Sequence, residues 1–190
     1  NTSICSRTGN EVEKAYADFC VSFAKTKNFG QEVESVIVEL RRKLAPVDTF
    51  TSFFRQVEYS VKDIPRIAYI FDRLNNMKRA LGERKVIFYP DKTVFRKSLN
   101  VEHIWPQKGT EPSELIPKGL NNIGNLLVVS KQMNSALGNR SVGDKISLFE
   151  GKFADRIGEF PTIASVCDTY SAAKKVWNDE VIQKRADNIA

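Results

Sequence analysis

The character of the sequence changes at Gly82, and this change limits the possible folds more than any other feature. Before Gly82, apolar residues recur at the three- and four-residue spacing of amphipathic helices, in the segments 12–23, 33–44, 50–59 and 64–81. After it, short β-prone runs alternate with loops rich in proline, glycine and asparagine. The sequence therefore predicts an α+β protein whose helical region comes first.

The second half of the chain predicts a strand, a loop, a second strand and a helix, in that order. An extended segment over 95–104 precedes a loop over 107–122, and the run 126–129 forms the next strand. Ser130 has the side chain of an N-cap, and Gly138 is typical of a helix end. The asparagines that flank these elements are interpreted as turn residues: Asn121, Asn122 and Asn139. A strand at 86–89 and helices at 141–151, 162–169 and 171–188 complete the prediction.

The length of 190 residues allows one ordinary domain or two small ones. We expect a helical region over 1–93 and a second domain over 94–190. No apolar run reaches the roughly 18 residues of a membrane span, and the start of the chain does not resemble a signal peptide. Because the first residue is Asn1 and not methionine, the chain is expected to be a fragment of a longer protein.

The cysteines argue for a reducing compartment. Cys5, Cys20 and Cys167 lie far apart, and no two of them form a CxxC pair. An odd number at such spacings argues against a disulfide framework and against a structural zinc site. We therefore expect a cytoplasmic protein with no membrane contact.

The net charge of +6 is concentrated in one segment. Residues 98–190 hold 11 basic and 11 acidic residues, whereas residues 73–97 hold eight basic residues against two acidic ones. A basic segment of this kind binds polyanions through phosphate contacts, although a solvated helix face explains it equally well when it is taken alone. Its position before the site described next favours DNA, with Arg79, Arg84 and Lys85 as the expected contacts.

The chain contains a single histidine, His103, in the string Val-Glu-His-Ile-Trp-Pro-Gln. Cleavage of a phosphodiester needs a base that takes the proton of the attacking water, and imidazole titrates near neutrality. A lone histidine in front of a proline is more often structural than catalytic. Here Glu102 precedes it, and further polar residues follow at Asn125 and Asn134.

Glu102 and Asn134 can supply a carboxylate and an amide oxygen to Mg²⁺ or Mn²⁺, hard cations that need few protein ligands. Adjacent residues of a strand point to opposite faces, so Glu102 can hold the metal while His103 holds the water. Asn125 is a candidate to brace the loop that carries His103. The residues themselves thus predict a metal-dependent hydrolytic site.

These residues resemble the HNH nucleases, also called His-Me finger or ββα-metal nucleases. The string over 101–107 is similar to the Val-Asp-His-Ile-x-Pro-Gln of the HNH domain in RNA-guided CRISPR nucleases, and the nine-residue step from Asn125 to Asn134 also matches that domain. The C-terminal nuclease domain of the GmrSD type is more similar still. Its elements Glu-His-Ile-x-Pro-Gln, Ile-Gly-Asn-Leu, Asn-x4-Asn and Lys correspond here to 102–107, 123–126, Asn134 with Asn139, and Lys145.

The resemblance covers about residues 94–190 and includes a C-terminal signature of Trp177, Ile182 and Arg185. It implies a ββα-metal core followed by C-terminal helices. It further implies that His103 is the base, that Glu102 and Asn134 are metal ligands, that Asn125 fixes the backbone of His103, and that Lys145 and Arg140 contact phosphates. Ser141-Val142-Gly143 stands where many members have an aromatic residue.

In function, the resemblance implies a Mg²⁺- or Mn²⁺-dependent endonuclease or nickase that acts on double-stranded DNA. Members are effectors of prokaryotic restriction or antiphage proteins, in which a nucleotide-hydrolysing sensor domain precedes the nuclease. Two alternatives stay open: a DNA-binding regulatory module that has an HNH fold and does not cut, and a nuclease directed at RNA.

Overall fold

The computed structural model describes residues 4–5, 9–77, 98–109 and 115–190. The chain divides into two compact units, Asn1–Phe54 and Arg55–Ala190. The domain boundary predicted at 93/94 and the strand predicted at 86–89 lie outside the described residues. No helix in the described part of the chain is long and apolar enough to cross a membrane.

The described residues of the first unit contain three helices: α1 (Gly9–Phe23), α2 (Phe29–Arg42) and α3 (Val47–Phe54). Helices α1 and α2 pack against each other. The Asn28 side chain caps α2 by accepting a hydrogen bond from the Gln31 backbone N–H, which satisfies one of the free donors at a helix start. The helix predicted at 12–23 is confirmed, and the helix predicted at 33–44 is present but ends two residues early, at Arg42.

The helix predicted at 50–59 is wrong in its bounds, because α3 ends at Phe54. The residues that follow belong to the second unit, where they form backbone hydrogen bonds with a segment distant in the sequence. The Ile123 N–H donates to the Val57 carbonyl at 2.9 Å, and the Tyr59 N–H donates to the Asn121 carbonyl at 2.7 Å. These bonds fix residues 57–59 as extended chain beside the site loop.

The second unit is built on a two-stranded antiparallel sheet of β1 (Leu99–His103) and β2 (Leu126–Ser130). The register pairs Glu102 with Leu127 and His103 with Leu126. Helices α4 (Ile64–Met77) and α5 (Lys131–Leu137) pack against both strands. Because helices cover the sheet, β2 is a continuous apolar run and does not alternate.

The start and end of α5 agree with the prediction. The Ser130 hydroxyl accepts a hydrogen bond from the Met133 N–H, and Gly138 ends the helix at a φ of 49°. A positive φ of this kind favours glycine because a side chain would clash with the backbone. The order of strand, loop, strand and helix is therefore present.

The buried face of α4 differs from the predicted one. The apolar spacing over 64–81 predicts a buried face that includes Ile67, Phe71 and Met77. Ile67 and Phe71 lie in the core, but Met77 is 75% exposed. The buried stripe continues instead through polar residues, and Asn75 accepts a hydrogen bond from the backbone N–H of Thr162 at 2.9 Å. Polar side chains are tolerated in a core where they are hydrogen-bonded. The buried residues of α4 therefore recur at the helical spacing even where they are polar.

Three more helices follow among the described residues of the unit: α6 (Val142–Glu150), α7 (Thr162–Ala172) and α8 (Asp179–Ile189). The helix predicted over 171–188 is wrong at its start, because a turn over 173–178 separates α7 from α8. Lys174 and Lys175 have φ values of 54° and 64° in this turn, a backbone region that costs free energy for non-glycine residues. The turn contains Trp177, which is buried.

Candidate active site

His103 occupies the last position of β1, and its side chain is nearly covered, at 7% exposed. The ring of Tyr59 packs edge-on against the imidazole, with ring centroids 4.8 Å apart. Burial lowers the pKa of His103 below its ordinary value, and the contact with Asn121 opposes this shift. The neutral imidazole, which can accept a proton, is therefore the favoured form near neutral pH.

Glu102 contacts a different set of residues from its neighbour. Lys145 on α6 donates one hydrogen bond to Glu102 Oε1 at 2.5 Å and another to the His103 carbonyl at 2.7 Å. Both side chains of the ion pair are buried. Burial raises the pKa of Glu102 and lowers that of Lys145, and the attraction between the two charges opposes both shifts.

Lys145 does not lie where a phosphate contact would need it. Its side chain is 1% exposed, and its ammonium group is enclosed by Glu102 and the end of β1. This position differs from the phosphate contact inferred from the resemblance. The helical spacing of the sequence indicates that Lys145 is buried, because it places Lys145 on the same face of α6 as the buried residues Val142, Ile146 and Phe149.

Asn125 is fully buried beside the loop that follows His103. Its Nδ2 group donates to the carbonyls of Leu120 at 2.8 Å and Trp105 at 3.2 Å. Its Oδ1 atom accepts from the Trp105 N–H at 2.8 Å and from the indole N–H of Trp177 at 3.0 Å. The Ile104 N–H donates to the Asn125 carbonyl at 2.8 Å. The side chain thus connects both ends of the loop.

The three residues of the C-terminal signature hold this segment from the other side. Trp177 bonds to Asn125 as described, and Arg185 donates from Nη1 to the carbonyls of Gly124 at 2.7 Å and Leu126 at 3.0 Å. Arg185 is fully buried, and burial lowers its pKa to about 9. The backbone of Ile182 in α8 lies where a side chain at Gly124 would stand. The sequence identified these residues without indicating their structural role.

Asn134 lies on α5, the helix that packs against the strand of Glu102. Its Oδ1 atom is buried and has no hydrogen-bond partner among the described residues. A buried carbonyl oxygen without a partner is costly, so it is a favourable place for a water or a cation. A carboxylate and an amide oxygen suit a hard divalent ion that keeps several waters. In the described part of the chain, no three His, Cys, Asp or Glu side chains are grouped to hold a metal.

Of the remaining predicted contacts, one is exposed and three lie outside the residues that the structure describes. Arg140 is exposed beyond the end of α5, where its Nε group donates to the Ala136 carbonyl at 3.0 Å. Arg79, Arg84 and Lys85 lie outside the described residues. The basic segment over 73–97 is described only up to Met77.

Sequence reasoning missed the neighbours of the imidazole. Gln107 and Asn121 each lie 3.2 Å from His103 Nε2, although the pattern around Asn121 is typical of a turn. Tyr59 lies 44 positions before His103 in the sequence. Gln107 stands in the same string as His103, but no local pattern links Tyr59 or Asn121 to it.

The fold and the site define a small helical unit around a two-stranded sheet, with a polar centre at the end of one strand. A family comparison shows the class of protein to which this unit belongs. The model of the GmrSD restriction endonucleases, C-terminal domain, matches residues 45–190.

The match covers more than half of the chain, so the chain belongs to this family. It begins well before residue 94, where the resemblance drawn from motifs began. No curated protein and no solved structure matches the chain. The family suggests a nuclease domain of restriction systems.

Proposed function

We propose that the unit Arg55–Ala190 is an HNH-type endonuclease that depends on a divalent metal and hydrolyses or nicks double-stranded DNA. The observation that carries the proposal is the buried Asn134 Oδ1 atom, which has no partner among the described residues. It lies on the helix that packs against the strand of Glu102 and His103. Membership of a restriction endonuclease family supports the same function.

His103 is the residue proposed to take the proton from the attacking water. The lowered pKa of His103, caused first by burial, keeps the imidazole neutral and able to accept that proton at neutral pH. The chain contains no second histidine that could replace it.

Glu102 and Asn134 would hold Mg²⁺ or Mn²⁺, which when bound offsets the negative charge that develops on the phosphate. Lys145 holds one oxygen of the Glu102 carboxylate and the His103 carbonyl. This makes Lys145 a positioning residue, in the way that groups around a metal orient its ligands. Asn125 positions the loop that follows the base.

Phosphate contacts would come from exposed basic residues. Arg140 is exposed near the end of α5, and Arg79, Arg84 and Lys85 belong to the segment that carries the net charge. At a larger scale, we propose a cytoplasmic effector of a prokaryotic restriction or antiphage protein. A nucleotide-hydrolysing sensor domain would precede the nuclease in that protein.

A plasmid-nicking assay tests the proposal. Supercoiled DNA is incubated with the protein in Mg²⁺, in Mn²⁺ and in EDTA, and the same is done for the variants His103→Ala and Asn134→Ala. We expect cleavage only with metal, and a loss of about 10²–10⁴ in rate for His103→Ala. Asn188→Ala is the matched control, because it removes the same side chain from an exposed position on α8.

Four results would contradict the proposal. Nicking that survives EDTA would rule out the metal, and a wild-type rate for His103→Ala would rule out the base. Duplex binding without any cleavage would favour the regulatory module instead. Cleavage of RNA in a parallel assay, with DNA left intact, would favour the nuclease directed at RNA.

A further inference from the structure

The imidazole of His103 is held through one of its two ring nitrogens. Nε2 lies 3.2 Å from Asn121 Oδ1 and 3.2 Å from Gln107 Nε2. The Gln107 amide also donates to Asn121 Oδ1 at 3.2 Å. His103 Nε2, Asn121 Oδ1 and Gln107 Nε2 therefore form the three corners of a triangle. None of the described residues makes a hydrogen bond to the other nitrogen, Nδ1.

A neutral imidazole carries one proton, so the triangle allows two arrangements. In the first, the Nε2–H group donates to Asn121 Oδ1, and Nδ1 carries the free lone pair. In the second, Nε2 accepts from the Gln107 amide, and Nδ1 carries the proton. Only the first arrangement leaves a lone pair outside the triangle.

One contact favours the first arrangement. In the second, the lone pairs of Nε2 and Asn121 Oδ1 would face each other at 3.2 Å. In the first, the only unfavourable contact is between the N–H groups of His103 and Gln107. Gln107 is exposed and can rotate away.

Asn121 is only partly exposed, and its backbone carbonyl accepts a hydrogen bond from the Tyr59 N–H at 2.7 Å, which fixes the Asn121 backbone beside the ring. The ring of Tyr59 in turn packs edge-on against His103. Asn121 and Tyr59 thus form one support for the ring, the first by a hydrogen bond to Nε2 and the second by packing.

We propose that Asn121 is a positioning residue that holds His103 in the Nε2–H tautomer and leaves Nδ1 as the nitrogen that accepts a proton. Its catalytic meaning rests on the proposed function of His103 as the base. The proposal concerns the tautomer of the neutral ring, and it assigns Gln107 no part in setting that tautomer.

The single histidine makes a direct test possible. Long-range proton–nitrogen NMR correlation on ¹⁵N-labelled protein reports which ring nitrogen is protonated, and only one imidazole contributes to the spectrum. We expect the Nε2–H tautomer in the wild-type protein. Asn121→Leu and the smaller Asn121→Ala should both lose this preference, whereas Gln107→Leu, which removes an amide from the same triangle, should retain it.

The cleavage assay adds a second readout. Asn121→Leu should lower kcat by about tenfold to a hundredfold, with KM little changed, because the ring is misoriented and the DNA contacts are intact. The proposal is overturned if the wild-type ring is protonated at Nδ1, or if the tautomer of folded Asn121→Ala is unchanged. Failure of the proposed function has a different signature, in which His103→Ala cleaves at the wild-type rate while the tautomer is as proposed.

Discussion

The buried ion pair of Glu102 and Lys145 shows how single residues support the site. Each charge has lost its hydration, and its main compensation is the other charge. Removal of one partner from such a pair leaves a buried charge without compensation, which costs far more than the pair itself contributes. The pair therefore makes the stability of the unit depend on Lys145.

We predict that Lys145→Met lowers the free energy of unfolding at pH 7 by about 3–5 kcal/mol, measured by urea denaturation. Lys118→Met, at an exposed lysine, should change it by less than about 0.5 kcal/mol. The double variant Lys145→Met/Glu102→Gln should recover much of the loss. Equal stability of the two lysine variants would show that the pair is not buried in solution.

The pH dependence of Lys145→Met follows from the raised pKa of Glu102, which burial causes. A carboxyl whose folded pKa lies above its unfolded value is neutral in both states below about pH 4.3, so the penalty is absent there. As the pH rises above that value, the unfolded state ionises first and stability is lost. The difference from wild type should therefore be smaller at pH 4 than at pH 7, in the same urea titration.

The three thiols should differ in reactivity for a related reason. Burial raises the pKa of the Cys167 thiol to about 11, and the thiolate is the reactive form. At pH 8, a thiol reagent should modify exposed Cys20 rapidly and leave buried Cys5 and Cys167 unmodified until the protein unfolds. Cys20→Ser should abolish the fast phase, and a fast phase that persists in this variant would contradict the assignment.

At the scale of secondary structure, the site depends on a helix far from it in the sequence. Helix α8 supplies Arg185 to the carbonyls of the turn over 123–126, and its backbone lies directly against Gly124. The turn carries Asn125, which connects the ends of the loop after His103. The C-terminal helix thus stabilises the loop of the proposed base through the turn that carries Asn125.

We predict that Gly124→Ala destabilises the second unit by at least about 1–3 kcal/mol, because overpacking forces the backbone to shift. The added Cβ would lie 2.0 Å from the Ile182 carbonyl oxygen. Gly158→Ala is the matched control, since a Cβ there meets nothing within 4 Å. Thermal unfolding of both variants makes the comparison, and similar melting temperatures would show that α8 does not pack against the turn as described.

At the scale of the whole molecule, the charge is distributed unevenly between the site and the segment before it. The described centre contains a compensated ion pair and a neutral imidazole, whereas the net positive charge lies in residues 73–97. This separation suggests that binding and chemistry can be changed independently. Phosphate contacts dominate affinity for DNA and make it depend on salt.

We predict that reversal of Arg79, Arg84 and Lys85 to Glu weakens binding to all duplexes alike. The slope of log affinity against log salt should flatten by about 0.9 for each phosphate that is no longer neutralised. The cleavage rate at saturating DNA should change far less, because the site is untouched. The measurement is a titration of labelled duplex at two salt concentrations.

A charge-matched reversal provides the control for this experiment. Lys118, Lys131 and Lys184 are exposed in the second unit and lie outside the basic segment, so their reversal changes the net charge by the same amount. If both triple variants bind DNA equally well, the segment is a solvated helix face and not a DNA contact.

Much of the local structure could be predicted because its signals are local. The Ser130 cap, the Gly138 helix end and the apolar run of β2 each depend on residues within a few positions of one another. The same holds for the motif that singles out Glu102 and His103 as candidates. Backbone sterics and helix-end hydrogen bonds act over one or two turns, so the sequence alone was sufficient for these features.

Other features were decided only when distant segments met. The helical period places Lys145 on the buried face of its helix, but only the folded chain brings Glu102, 43 residues earlier, into contact with its charge. Contacts between distant segments likewise bring Asn121 beside the imidazole. They also place a turn that contains Trp177 where the sequence predicted a helix. Burial and pairing of polar groups depend on the whole chain, because their free energy is set by what surrounds them after folding.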